Sequence, residues 1–336
     1  MKETGEGTLY ILGNGFDCCH ELDTSTERFL EILRTKDVYN ETETAEMIFR
    51  RYNVLWGDYE SCLADIDLEL IAEENLIEPD YFSDHEYDRD GGIYNMEIYT
   101  ESLRWAIKES LETMVDNANH KLKHSKPVLI EFLNSNDAVI SFNYTSTLEQ
   151  LYNIPNEVPV CHIHGFREKG EFLLFGFRDG ISEEEYYNKF IDKSVIKKIQ
   201  EKIQEIQEDN TMSEEDKEWE LQYWYRCYDE ATGDSDFYID MQRDAVFQFY
   251  QLLRKEIQIE KLKEFLGKCT GIKRIMVMGH SMSDVDSEYM ELIEKVLCPV
   301  EWRISQYNNN PSLESISEYS FASKIRFYDL YTDFRR

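Results

Sequence analysis

The chain has 336 residues, 68 of them acidic and 36 basic, and its net charge of −32 is spread along its length. Such a surface repels phosphate backbones and anionic membranes, which disfavours direct nucleic-acid or lipid binding. The length suits one α/β domain with large insertions or two intimate domains.

The first apolar run, Leu9–Leu12, reads as a buried strand and is followed at once by Gly13-Asn-Gly-Phe-Asp17. Two glycines after a strand permit close backbone approach to a ligand, as in a dinucleotide phosphate turn. A full G-x-G-x-x-G needs a third glycine where Cys18 stands. A tight strand-to-helix turn with Asp17 as a local cap is the competing reading. The following region reads as mainly helical. It opens with Thr24-Ser-Thr-Glu27, a capping-box pattern, and contains "WGDYESCLADIDLEL" and "ESLRWAIKESLETMVDNANHKL", with a loop expected around Ser83 to Gly92.

A second strand is expected over Ala138–Phe142, leading into Ser141-Phe-Asn-Tyr-Thr145 and Glu149. The amide of Asn143 can donate and accept at once, which suits a ribose hydroxyl or a water, whereas Thr145 can equally cap the helix begun by "STLEQLY". The third strand, Val160–Ile163, carries His162 and His164, which alternation places on one face as a general base or metal ligands. Metal coordination ranks below catalysis, because no further ligands stand at recognisable zinc spacing. Leu173–Phe175 reads as another short strand.

From about Ser182 to Phe265 the chain again reads as helical. The Lys/Glu pattern of "VIKKIQEKIQEIQED" fits a solvated face over a modest apolar stripe better than a partner-binding face. The last expected strand, Ile275–Met278, runs into Gly279-His-Ser-Met-Ser-Asp-Val-Asp286. His280 and Ser281 are placed to line a nucleotide pocket, and Asp284 either joins them or caps the next helix.

Strands alternating with helices predict a mainly parallel sheet with helices on both faces, ligands binding beyond the strand carboxyl ends. The expected organisation is one α/β domain built from about 1–25, 126–181 and 266–336, with helical insertions at about 26–125 and 182–265. Seven cysteines without a C-x-x-C pair argue against a zinc ribbon or a disulfide scaffold and for a reducing compartment. No leader pattern opens the chain, and no apolar run approaches the roughly 20 residues that span a bilayer, so a cytoplasmic location is expected.

In this order, "ILGNGFDCCHELDTS", "WGDYESCLADI", "ISFNYTSTLEQLY", "HIHGF" and "MVMGHSMSDVDSEYMELI" resemble the AbiH-type phage abortive-infection family. The same framework is similar to a divergent sirtuin-like, Rossmann-like fold that surrounds NAD. That resemblance implies Gly13 and Gly15, with Asn14 and Phe16 between and after them, at the glycine turn. It further implies Asn143 as the catalytic-site asparagine beside Ser141 and Thr145, His164 as the histidine before glycine, and Gly279 and Ser281 against the adenosine side, with His280 and Asp284 nearby. Thr145 departs from the usual aspartate and Asn14 from a small alanine.

Without paired cysteines a deacylase is disfavoured, and the resemblance implies hydrolysis of NAD to nicotinamide and ADP-ribose, with no metal. Asp17 and Glu60 are candidate carboxylates near the ribose, and glycine-turn amides are expected to hold the pyrophosphate. Two alternatives are a module that senses NAD or ADP-ribose without chemistry, and a metal-dependent phosphoesterase or nuclease built on His162, His164 and nearby acids. A toxic activity also needs a trigger, either homo-oligomerisation through the helical insertion or a phage-derived component.

Overall fold

The computed structural model describes residues 6–334 except 40, 55–62, 191–192, 210, 233–235, 309 and 312. Trp56, Glu60 and most of "WGDYESCLADI" therefore lie outside the described residues.

The chain begins with β1 (Gly7–Leu12) and α1 (Asn14–Cys19), then enters helices α2 (Thr26–Leu33), α3 (Ala45–Arg51), α4 (Leu68–Asn75) and the long α5 (Tyr87–Leu122). It returns to the sheet through β2 (Ala138–Ser141), α6 (Thr147–Leu151) and β3 (Val160–His162). A second helical excursion holds α7 (Glu183–Tyr187), α8 (Lys193–Glu208), α9 (Glu214–Thr232), α10 (Phe237–Leu252) and α11 (Ile259–Leu266). The last part alternates β4 (Ile272–Met278), α12 (Ser287–Leu297), β5 (Glu301–Ser305), α13 (Leu313–Ser317), β6 (Ile325–Tyr328) and α14 (Leu330–Phe334).

All six strands are parallel, in the order β3-β2-β1-β4-β5-β6. This is a doubly wound sheet whose growth reverses between β1 and β4, the crevice where such folds place ligands. Buried strands alternate their side chains between two cores. Leu9, Ile11, Ile140 and Val277 enter one core with Trp302 and Tyr289, while Tyr10, Leu12, Val139 and Met278 enter the other with Phe16 and Tyr152.

A third core lies among the helices, where α2, α3, α4, α5 and α10 pack together. The α5 helix joins the layers. Its residues Met96 to Val115 enter the helical core, and Ala118 and Leu122 reach the sheet. At 36 residues it extends roughly 54 Å.

Several sequence expectations need correction. Leu173–Phe175 is not a strand. It passes beyond the end of the edge strand β3, where the Leu174 amide bonds the His164 carbonyl and Leu173 enters the helical core, so its apolar character serves a layer other than the sheet. Strands β5 and β6 were not expected, because each shows only two or three apolar residues between charged ones. The expected loop at Ser83–Gly92 gives way to helix at Tyr87, since Gly92 lets the Gln242 side chain lie against the helix backbone. Ser25 rather than Thr24 caps α2, accepting from the Arg28 amide, because the Thr24 hydroxyl is used on Asn14.

Candidate functional site

Strand register lines up the carboxyl ends. Leu12 pairs with Ser141 and Met278, and Ser141 pairs with His162, so Asn143, His164, Asn14 and His280 all lie two residues beyond this shared row.

The glycine turn packs backbone on backbone. Gly279 has φ +68°, and a Cβ there would lie 2.3 Å from the Phe16 nitrogen. The Gly15 amide bonds the Gly279 carbonyl at 2.7 Å, the Gly13 amide bonds Met278, and the Phe16 amide bonds Gly13. In this conformation those three amides are satisfied within the protein, which corrects the expectation that they cradle a pyrophosphate. The Asn14 side chain donates to the Thr24 backbone carbonyl and accepts from the Thr24 hydroxyl, which ties α1 to the start of α2. Phe16 is fully buried against Phe132, Tyr152 and His20, which assigns its ring to packing.

Asp17 does not cap α1. Its carboxylate crosses to the turn after β2 and accepts from Thr145 Oγ1 at 2.8 Å and Thr147 Oγ1 at 2.6 Å. Burial pushes its pKa up to about 6, against the pull of hydrogen bonds from Thr147, Thr145 and Asn143. Thr145 is thus a partner of Asp17 instead of a helix cap.

Asn143 is held by Ser141, whose Oγ accepts the Asn143 amide at 3.2 Å. The two histidines part company because β3 ends at His162 and the alternation stops there. His162 Nε2 meets Glu149 at 2.8 Å, and its ring stacks on Phe166. His164 turns instead toward Asp286, His280 and the edge of Phe142.

Asp286 is the centre of this second group. An aspartate at a helix start ordinarily caps it, yet Asp286 at the N-cap of α12 makes no side-chain cap bond. Its carboxylate instead faces Lys255 Nζ at 3.1 Å, His280 Nε2 at 3.3 Å and His164 Nε2 at 3.4 Å, all four residues being buried. His280 Nδ1 accepts the Met282 amide, which leaves Nε2, toward Asp286, as the ring nitrogen that carries a proton.

The His164 approach to Asp286 lacks hydrogen-bond alignment, so its Nε2 is buried without a bonding partner. Burial first, then the Lys255 charge, pulls the His164 pKa down to about 4, and the imidazole is neutral at physiological pH. Burial pushes the Asp286 carboxyl up, but the two imidazoles and Lys255 outweigh it and hold the group well below the usual carboxylate range.

Ser281 and Asp284 are exposed. The Asp284 carbonyl receives Arg178 and Ser287, and no side-chain cap is made at this helix start. A cleft of about 590 Å³ opens on α12, lined by residues such as Arg178, Ser287, Glu291 and Lys295, and none of the buried histidines lines it.

Lys255 and Asp286 were not expected in the site. Asp286 had a signal, the second acid of a pair at a helix start. Lys255 had none, since it is one of several charges after α10 and only the fold brings it 31 residues across to Asp286. Among the described residues no cluster of three or more His, Cys, Asp or Glu is arranged to hold a metal ion, and no helix is long and apolar enough to cross a membrane.

No curated protein and no solved structure matches the chain. A family model described as "Bacteriophage abortive infection AbiH" matches residues 9–306. With that match spanning most of its length, from β1 to the residue after β5, the chain belongs to the AbiH family of bacteriophage abortive infection proteins.

Proposed function

We propose that the protein serves abortive infection by hydrolysing NAD to nicotinamide and ADP-ribose at the carboxyl edge of the sheet. The observation that carries the reading is His164, a buried, neutral imidazole with one unsatisfied nitrogen beside Asp286 at the strand ends. Water adds to the ribose carbon as the ribose–nicotinamide bond breaks. The bonding pair leaves with nicotinamide, and His164 takes the proton of the water. Asn143 orients water or ribose, and Asp17 faces the developing positive charge.

Asn143, His164 and Asp17 are each buried, so admitting a dinucleotide requires their cover to open. That requirement accords with a toxic activity held silent until infection.

The test is nicotinamide release from NAD, followed by chromatography with and without phage-infected lysate. His164→Ala and Asn143→Ala should each lower it by about 10²- to 10⁴-fold in variants that still fold and unfold cooperatively. Undiminished turnover in a folded variant overturns the residue roles. NAD binding by calorimetry without nicotinamide from the wild type under either condition replaces the enzyme with a nucleotide sensor.

A further inference from the structure

The loop that follows β3 closes on itself. The Glu171 amide bonds the Phe166 carbonyl, and a Cβ at Gly165, φ +94°, would lie 2.3 Å from the Phe172 carbonyl oxygen, so residues 165–172 form a compact loop with adjoining ends. Residues 168–172 are all exposed, and Phe166 is the one buried side chain between 166 and 172. The chain is anchored on either side. His162 ends β3, Leu173 enters the helical core, and the Leu174 amide bonds the His164 carbonyl.

This loop lies across the carboxyl ends of β2 and β3. Phe166 stacks on the His162 ring, with centroids 4.0 Å and planes 9° apart. The Arg167 amide bonds the Tyr144 carbonyl at 3.3 Å, and the Glu168 carboxylate accepts from Ser146 Oγ at 2.8 Å and Gln150 Nε2 at 2.7 Å. Tyr144 and Ser146 flank Thr145, the partner of Asp17, and directly follow Asn143. The loop therefore covers the turn that carries Asn143 and holds Asp17.

Its tip is also gripped by a third element. Arg167 Nε and Nη2 make a two-pronged contact with Asp116 of α5 at 2.9 and 2.8 Å, and Nη1 reaches Glu112, one turn earlier, at 3.0 Å. A guanidinium held in this geometry by two carboxylates is among the stronger surface ion pairs. The Arg167 and Asp116 side chains are 29% and 54% accessible, so the grip can be released from outside while the groups beneath the loop stay buried.

We propose that residues 165–172 are a flap over the candidate site and that the contact of Arg167 with Asp116 and Glu112 is the latch that keeps it shut. Gly165 is the hinge, since its backbone reaches conformations closed to other residues. The flap swings as one body, because the bonds from the Lys169, Gly170 and Glu171 amides to Phe166 and Arg167 lie within it. Once the latch opens, the bonds of Glu168 exchange for water, and Phe166 is the buried ring that must move, uncovering His162 and the turn after β2. The regulatory role rests on the reading of this site as an NAD hydrolase, whereas the opening of the flap does not.

Opening is read by diethyl pyrocarbonate labelling of the full-length protein, with the label at each histidine resolved by mass spectrometry. His85, His120 and His124 are exposed and should label rapidly in every variant. His20, buried against Phe16 and Tyr152, should stay slow unless the whole chain unfolds. Arg167→Met, and separately Glu112→Gln with Asp116→Asn, should speed the labelling of His162 by at least about tenfold with His20 unchanged. The same variants should release nicotinamide from NAD without infected lysate, faster than the wild type by a similar factor. Faster labelling of His162 without nicotinamide retains the latch and rejects the hydrolase. Unchanged labelling of His162 in both folded variants, or an equal rise at His20, overturns the latch whatever the activity.

Discussion

Between pH 4 and 6.5 the buried groups Asp17 and His164 drive stability in opposite directions. His164 has its ordinary value of 6.5 when unfolded and about 4 when folded. Its contribution is complete above pH 6.5 and is lost as the pH falls toward 4, because the unfolded chain then binds a proton that the folded one refuses. Asp17 moves from 3.8 to about 6. Its contribution is complete below 3.8 and is lost as the pH rises through 6, because the folded carboxyl keeps a proton that the unfolded one releases.

At about 1.4 kcal/mol per unit, each amounts to about 3 kcal/mol, and in the wild type they nearly cancel. The assay is urea unfolding of wild type, Asp17→Asn and His164→Gln at half-unit intervals from pH 4 to 7.5, read as the difference from wild type so that the other carboxylates drop out. Relative to wild type, Asp17→Asn should gain about 3 kcal/mol as the pH rises across the window, and His164→Gln should lose about as much. Differences that stay flat with pH for both variants refute the assignment of these two ionisations.

Lys255→Met leaves Asp286 without its buried ammonium and should cost about 3–5 kcal/mol in urea unfolding, most of it recovered by adding Asp286→Leu; equal losses in the single and double variants refute the pair. Gly279→Ala should destabilise by about 3 kcal/mol, because left-handed backbone and contact with Phe16 coincide there. At Gly170, with φ +68° and no atom within 4 Å of an added Cβ, alanine should cost about 1 kcal/mol by the same measurement.

The central strands were legible because long apolar runs ended in glycine or small polar residues, and the same punctuation located the carboxyl edge. Strands β5 and β6 were not, since residues such as Arg303 and Arg326 interrupt their apolar pattern. His162 and His164 look equivalent in sequence, and their separation depends on where β3 stops. Asp286 resembles an ordinary helix-start acid until its side chain is seen to forgo the cap. Lys255 belongs to a chain segment with no site-like pattern, so only tertiary packing reveals it.

The ammonium that neutralises Asp286 is delivered from the second helical excursion, just after α10, while the carboxylate belongs to the β4–α12 junction of the sheet. The two layers therefore share a closed electrical circuit as well as an apolar contact. Trimming the excursion to a short loop strands an anion in the sheet, and transplanting the sheet alone does the same. The helical part is tethered to the sheet at its exit, where one lysine must reach the depth of Asp286.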